Sequence, residues 1–130
     1  MSTLRILLRD QRRSYWPGER IEGGVAWQLD RPAKAIEVRL FYYTKGKGTT
    51  DVVVVDQVRF EQPPEQEVRP FQFQLPAGPY SFSGKLISLI WAIELVAFPG
   101  QEAERLEFTL GPGGREISLR AAAQAHARQA

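Results

Sequence analysis

The sequence contains no cysteine, which excludes disulfide bonds, cysteine nucleophiles, thiolate zinc sites and iron–sulfur clusters. It contains one histidine, His126, in an alanine-rich C-terminal segment where we expect no rigid surroundings to orient it as a base or metal ligand. Ser81 and Ser83 therefore have no histidine in the folded part to activate them. With no phosphate-binding loop and no dinucleotide fingerprint either, we predict a protein that is not an enzyme, with no catalytic residue, cofactor or metal.

Long apolar runs are also missing. A membrane-spanning helix needs about 20 consecutive apolar residues, and the best candidate, residues 85–98, contains Glu94 and stops at Pro99. The N-terminus has Arg5 inside its apolar run and lacks a small-residue cleavage site, so it does not read as a signal peptide. We expect a cytoplasmic protein with no membrane insertion.

Charge of one sign is not concentrated along the chain. The 17 basic and 15 acidic residues leave a net charge of +2 and are scattered, so we expect no nucleic-acid partner. The local exceptions are Lys45 and Lys47 in a glycine-rich loop and three arginines near the N-terminus, Arg9, Arg12 and Arg13. We interpret both groups as solvated loop charges in preference to anion sites.

The 130 residues fit one domain, which we place at residues 1–119, with residues 120–130 as a disordered or frayed-helical tail. Nearly every segment alternates apolar and polar residues with the period of a strand that has one buried face. The inward sets are Leu4, Ile6 and Leu8; Ile21, Gly23, Val25, Trp27 and Leu29; Ile36, Val38, Leu40 and Tyr42; Phe71, Phe73 and Leu75; Ile87, Leu89, Trp91, Ile93, Leu95 and Ala97; and Leu106, Phe108 and Leu110.

Other segments complete the strand pattern. Residues 52–60 are strongly strand-forming, and Ile117 with Leu119 suggests a last short strand. The second register of residues 85–98 is also largely apolar, so this strand should be central and covered on both faces. Short strands divided by Pro and Gly turns, with no crossover helix, predict an all-β, antiparallel immunoglobulin-like β-sandwich of about eight strands. A closed barrel is the structural alternative.

Three motifs carry a resemblance to a known family. They are Tyr-Trp-Pro-Gly-Glu at residues 15–19 with the following strand to Val25, Phe-Gln-Phe-Gln-Leu-Pro at 71–76, and Pro-Tyr-Ser-Phe-Ser-Gly at 79–84 leading into residues 90–93. In their order and spacing they resemble a single arrestin-like domain of the arrestin superfamily, of the N-terminal-half type, over residues 4–110.

The physical roles of these motifs follow from the residues themselves. Pro17 and Gly18 reverse the chain, Gly23 allows a close approach of backbone or ring, and Pro76 with Pro79 ends strand pairing so that the chain crosses between sheets. Glu19 is best explained as a turn carboxylate that accepts backbone N–H bonds.

The resemblance implies a non-catalytic adaptor. Arrestins bind phosphorylated receptors, relatives bind membrane cargo in trafficking coats, and bacterial sporulation-control relatives are regulatory. The two-domain members have a charge switch between their domains. Because the 130 residues fit one domain, we expect that no such switch forms within one copy of this chain. Arg12 and Arg13 only loosely match the family's phosphate-sensing pair, so we do not extend receptor or phosphate binding to this chain.

Surface recognition is the activity that the sequence favours. Apolar residues in outward registers, Phe41, Tyr43, Leu86, Ile90 and Val96, need a cover, either another part of the domain or a protein partner such as a second copy. An edge strand is a further contact for such a partner. The alternative is a small-molecule or carbohydrate-binding sandwich in which Tyr15, Trp16 and Tyr80 stack on the ligand; buried rings would exclude it.

Overall fold

The computed structural model describes residues 2–117, and these residues form two β-sheets. The strands are β1 (Thr3–Leu8), β2 (Ser14–Tyr15), β3 (Arg20–Gln28), β4 (Ala35–Gly46), β5 (Thr49–Glu61), β6 (Gln66–Gln74), β7 (Phe82–Ser83), β8 (Ile87–Phe98) and β9 (Glu102–Leu110). Within the described part, the only helical turns are single 3₁₀ turns at Arg9–Gln11 and Pro112–Gly114.

The smaller sheet has the strand order β1-β3-β6, and the larger has the order β2-β9-β8-β4-β5, with β7 paired beside β8. The long pairings are antiparallel, whereas the two-residue strand β2 runs parallel to β9. The all-β sandwich predicted from the sequence is therefore confirmed, as is the central position of β8 between β4 and β9.

The hydrophobic core lies between the sheets and is built from the inward registers expected from the alternation. Trp91 of β8 is at its centre, fully buried, and its indole Nε1 donates a hydrogen bond to the carbonyl of Pro79 at 2.7 Å. The ring contacts Tyr42 and Phe108, with centroid distances of 4.9 and 6.1 Å. The core also contains Ile21, Val25, Ile36, Val38, Leu40, Phe71, Phe73, Ile93 and Leu95.

Residues 75–81 carry the chain from the smaller sheet to the larger one. The segment begins after β6, includes Pro76 and Pro79, and ends at β7, which pairs with β8. Both prolines lack a backbone donor, so neither sheet extends into this segment. The crossing role predicted for these two residues is confirmed.

The C-terminal part of the described chain differs from the sequence-based expectation. Ile117 is not in a strand; its N–H donates to the carbonyl of Ser81 at 3.1 Å. This backbone hydrogen bond is made to the crossing segment and not to a neighbouring strand. Leu119 and the predicted tail at 120–130 lie outside the described residues. The short strands β2 and β7 were not predicted, because two residues carry no period.

Candidate interaction surfaces

The turn at residues 16–19 is held by the glutamate that ends it. Gly18 has a φ of 81°, in the left-handed region that glycine tolerates, and the N–H of Glu19 donates to the carbonyl of Trp16 at 3.2 Å. The Glu19 carboxylate accepts a hydrogen bond from the Trp16 N–H at 2.6 Å and two from the Arg12 guanidinium. Arg12, and secondly the Trp16 N–H, hold the pKa of the Glu19 carboxyl below its usual value. The turn role predicted for Glu19 is confirmed.

The three aromatic residues expected to offer a ligand platform are not equivalent. Tyr15 is only 2% exposed, its ring packs edge-on against Phe108 at 5.5 Å, and its hydroxyl donates to the carbonyl of Arg12. Tyr15 therefore belongs to the core, and its proposed role as a stacking platform is corrected. Trp16 is 55% exposed and Tyr80 is half-buried. Of the three rings, only that of Trp16 is largely exposed, whereas the alternative ligand-binding function assigned stacking to all three.

Ser81 also has a structural task. Its hydroxyl oxygen accepts a hydrogen bond from the N–H of Leu110 at 2.9 Å, and the side chain is buried. Its own N–H donates to the Leu110 carbonyl at 2.7 Å. Ser81 thus ties the crossing segment to the end of β9.

The outer face of the larger sheet carries a second apolar group, which we call the outer cluster: Phe41, Tyr43, Ala92 and Ile90. The cross-strand register places Phe41 opposite Ala92 and Tyr43 opposite Ile90. The Arg105 guanidinium from β9 lies 5.0 Å from each of the two aromatic ring centroids, and the Tyr43 hydroxyl donates a hydrogen bond to Glu107. Charged side chains of β9 therefore form part of the cover over this cluster.

The structure brings only some of the predicted partner-binding residues to an exposed position. Phe41 is 2% exposed, and Tyr43 and Val96 are also buried, so these three do not offer the exposed surface that their outward register suggested. Ile90 is half-buried beside the rings. Leu86 lies apart from them, just before β8, and is 79% exposed.

Beyond the outer cluster, the same face becomes charged. Glu37, which is buried, accepts hydrogen bonds from Arg39 at 2.7 Å and Arg59 at 3.3 Å. Both guanidinium groups also lie over the ring of Phe98. Glu37 and the two arginines are thus paired with one another, although the buried Nε of Arg39 has no hydrogen-bond partner. These ion pairs make this end of the face a less suitable site for an external ligand than the apolar end.

Sequence reasoning missed the surface formed by β5. This strand ends the larger sheet, and no other described strand pairs with its second edge. Val52, Val53, Val54 and Val55 have exposures of 39% to 57%. A bulge between the Leu40 and Phe41 positions of the β4–β5 pairing adds an extra residue, Val55, to β5. The unbroken valine run indicates a strand, but only the strand order reveals an edge.

No protein-family model matches the sequence, and no curated protein matches it. Among solved structures, the chain is similar to Spo0M, the sporulation control protein from Bacillus subtilis, with a TM-score of 0.60 and 17% sequence identity. The match covers 98% of this chain and 55% of the Spo0M chain, so this chain spans about half the length of that structure. Likeness at this identity establishes architecture, and the chain therefore has the arrestin-like fold that its three motifs indicated.

Proposed function

We propose that this protein is a non-catalytic adaptor module that binds a protein partner, or a second copy of itself, through the exposed edge of β5. The single observation that carries the proposal is a 13-residue edge strand whose four consecutive valines are partly exposed. An open edge presents a row of backbone N–H and C=O groups, and an extended segment adds to it by main-chain hydrogen bonds.

The other sheet edges among the described residues are less suitable. β1 and β2 have only 6 and 2 residues, and β6 contains Pro70, which cannot donate to a ladder. The part of β9 that β2 leaves unpaired contains charged residues, namely Glu102, Glu104, Arg105 and Glu107. Those features blunt an edge, whereas β5 contains no proline. Its bulge and its acidic residues narrow the open stretch to the valines between Asp51 and Asp56.

The remaining predicted contact residues fit this surface in a supporting role. Val54 and Val52 lie opposite Phe41 and Tyr43 in the β4–β5 register, so the buried rings underpin the exposed valines. Ile90 extends the same apolar area on β8. A regulatory or adaptor role is also what an arrestin-like architecture favours, and a chain without cysteine suits the reducing cytoplasm, where we place the protein.

The proposal is tested by affinity capture, in which the wild type and two double variants each serve as the immobilised protein. V52K/V54K places like charges along the β5 edge, and L7K/V68K places the same charges on the outer face of the smaller sheet, where Leu7 and Val68 are more exposed still. We expect the wild type and L7K/V68K to retain the same bound protein, or the same dimer by analytical ultracentrifugation, and V52K/V54K to lose it. Equal binding by all three proteins would contradict the role of β5.

A further inference from the structure

Three of the four lysines of the chain meet at one end of the larger sheet. Lys45 and Lys47 flank the tip of the β4–β5 hairpin, and Lys85 lies in the loop before β8. The β4–β8 register pairs Gly46 with Ile87 and Lys45 with Ser88, so the hairpin tip and this loop are side by side. A Cβ atom at Gly46 would lie 3.2 Å from the carbonyl oxygen of Leu86, which shows how closely the two segments approach.

Apolar side chains are exposed within this basic group. Leu86 is 79% exposed and Ile87 is 43% exposed. We call the five residues Lys45, Lys47, Lys85, Leu86 and Ile87 the lysine end. None of the ion pairs between described residues includes one of these lysines.

The three lysines outnumber the two nearby acidic residues, Asp51 and Glu116, so part of the positive charge is left uncompensated. Asp51 lies opposite Thr44 in the β4–β5 register, and Glu116 accepts a hydrogen bond from Ser83 at 3.1 Å. Glu19, on the 16–19 turn, is already neutralised by Arg12.

Trp16 lies at the same end of the molecule as the lysines. Tyr15 pairs with Leu110 at the end of β9, and β9 runs antiparallel to β8, so Trp16 follows at the end where β8 begins. Its ring is exposed and approaches Gly113. Tryptophan is suited to the boundary between water and lipid because it has an apolar body and one polar N–H group.

We propose that the lysine end docks on a membrane surface that contains anionic lipid. Lysines around exposed aliphatic side chains combine attraction to negative headgroups with shallow burial of apolar area, the two forces that hold peripheral proteins on membranes. The sequence-based expectation of no membrane insertion concerned a spanning segment, and surface docking needs none. No helix within residues 2–117 is long and apolar enough to cross a membrane.

The expected strength follows from the number of lysines. Each basic residue at an anionic surface raises the partition coefficient about fivefold, so three together contribute roughly 100-fold at low salt. Replacing Leu86 by serine should lower the partition coefficient by about a further tenfold, because the membrane then no longer removes a leucine side chain from water. Membrane docking by the lysine end does not depend on binding at the β5 edge, so the failure of one would not contradict the other.

The experiment is sedimentation of the full chain with vesicles of phosphatidylcholine, with or without phosphatidylserine. The test variant is K45Q/K47Q/K85Q, and the matched control is R5Q/R31Q/K34Q, which removes the same charge from exposed residues away from the lysine end. We expect the wild type and the control to bind only the anionic vesicles, with an affinity that falls as the salt concentration rises. The partition coefficient of the test variant on these vesicles should be roughly 100-fold lower than that of the wild type.

Tryptophan fluorescence supplies a second readout, because Trp27 and Trp91 are buried and Trp16 is exposed. Anionic vesicles should shift the emission to the blue, and Trp16→Phe should abolish the shift. Equal loss of binding in test and control variants would overturn the proposal in favour of a general effect of net charge. Absence of vesicle binding, or capture by polyglutamate alone, would overturn it too, the latter in favour of an acidic protein segment. Thermal unfolding of both triple variants confirms that each is folded.

Discussion

At the scale of single residues, the two neighbouring glycines of β3 have different reasons to be glycine. A Cβ atom at Gly23 would lie 2.2 Å from the carbonyl oxygen of Leu7 and 3.1 Å from the ring of Phe71, whereas at Gly24 the nearest atom, the carbonyl oxygen of Arg69, is 3.6 Å away. The close approach of β1 to β3 therefore requires a glycine at position 23 but not at position 24.

This difference predicts that a glycine-to-alanine substitution changes the stability of the protein differently at the two positions. Gly23→Ala should destabilise the protein by at least about 2 kcal/mol, because backbone has to move to accommodate the methyl group. Gly24→Ala should be neutral or slightly stabilising, since alanine restricts the unfolded chain more than glycine does. Urea unfolding of both variants measures the contrast. A similar loss for both would show that glycine is needed here for backbone flexibility and not for space.

The close approach at Gly23 was predictable because glycine has no Cβ atom, although the groups that approach it, Leu7 and Phe71, lie on other strands. The proline-glycine turn at 17–18 and the Glu19 carboxylate were predictable because each acts within a few residues of itself. The burial of Tyr15 was not, because it depends on Phe108, which is distant in the sequence. Local chemistry predicts local geometry, and exposure is a property of the whole fold.

At the scale of elements, the alternation of β6 and β8 predicted most of the residues that face the core, since a period of two is fixed by strand geometry. Ile87, at the first position of β8, was also predicted to face inward but is 43% exposed. Phe71, Phe73 and Trp91 are buried as expected. The outward register of β4 was also predicted, but the cover over Phe41 and Tyr43 was not. Arg105 and Glu107 come from β9, and their position over β4 requires the strand order, which alternation does not contain.

The hydrogen bond from Tyr43 to Glu107 joins β4 to β9 across β8 and makes a pH-dependent prediction. Burial, and then this hydrogen bond, raise the pKa of Tyr43 above its usual value of 10.0. The neutral phenol is therefore favoured by folding, so its contribution is complete below about pH 10 and is lost as the pH rises through the folded pKa.

Tyr43→Phe should cost about 0.5 to 1.5 kcal/mol at neutral pH, because it removes one hydrogen bond. The cost should shrink above pH 10, where the wild type loses the same contribution. Chemical unfolding of both proteins across the alkaline range checks this. A constant difference between them would show that folding leaves the pKa of the Tyr43 hydroxyl unchanged. The pKa of Tyr15 is also raised, by burial, so some alkaline destabilisation should remain in the variant.

At the scale of the whole molecule, Trp91 is fully buried in the core, and Trp16 is exposed on the surface at one end. Trp91→Ala should destabilise the protein by about 3 to 5 kcal/mol, because it leaves a cavity and removes the partner of the Pro79 carbonyl. Trp16→Ala should have little effect on stability. Thermal unfolding of the two variants compares them, and equal losses would mean that Trp16 is packed in solution. Trp16→Ala should also bind anionic vesicles more weakly than the wild type if the lysine end docks as proposed.

The length of β4 and β5 has a consequence for how the chain folds. These strands are joined by a tight turn, so they pair without closing a long loop, whereas β4 meets β8 only after the intervening chain has closed. We therefore expect the valine run of β5 to pair with β4 early in folding and to stay at an open edge of the sheet afterwards. Asp51 and Asp56 bracket this run directly, in the position of gatekeeper charges that keep unfinished chains from pairing with one another.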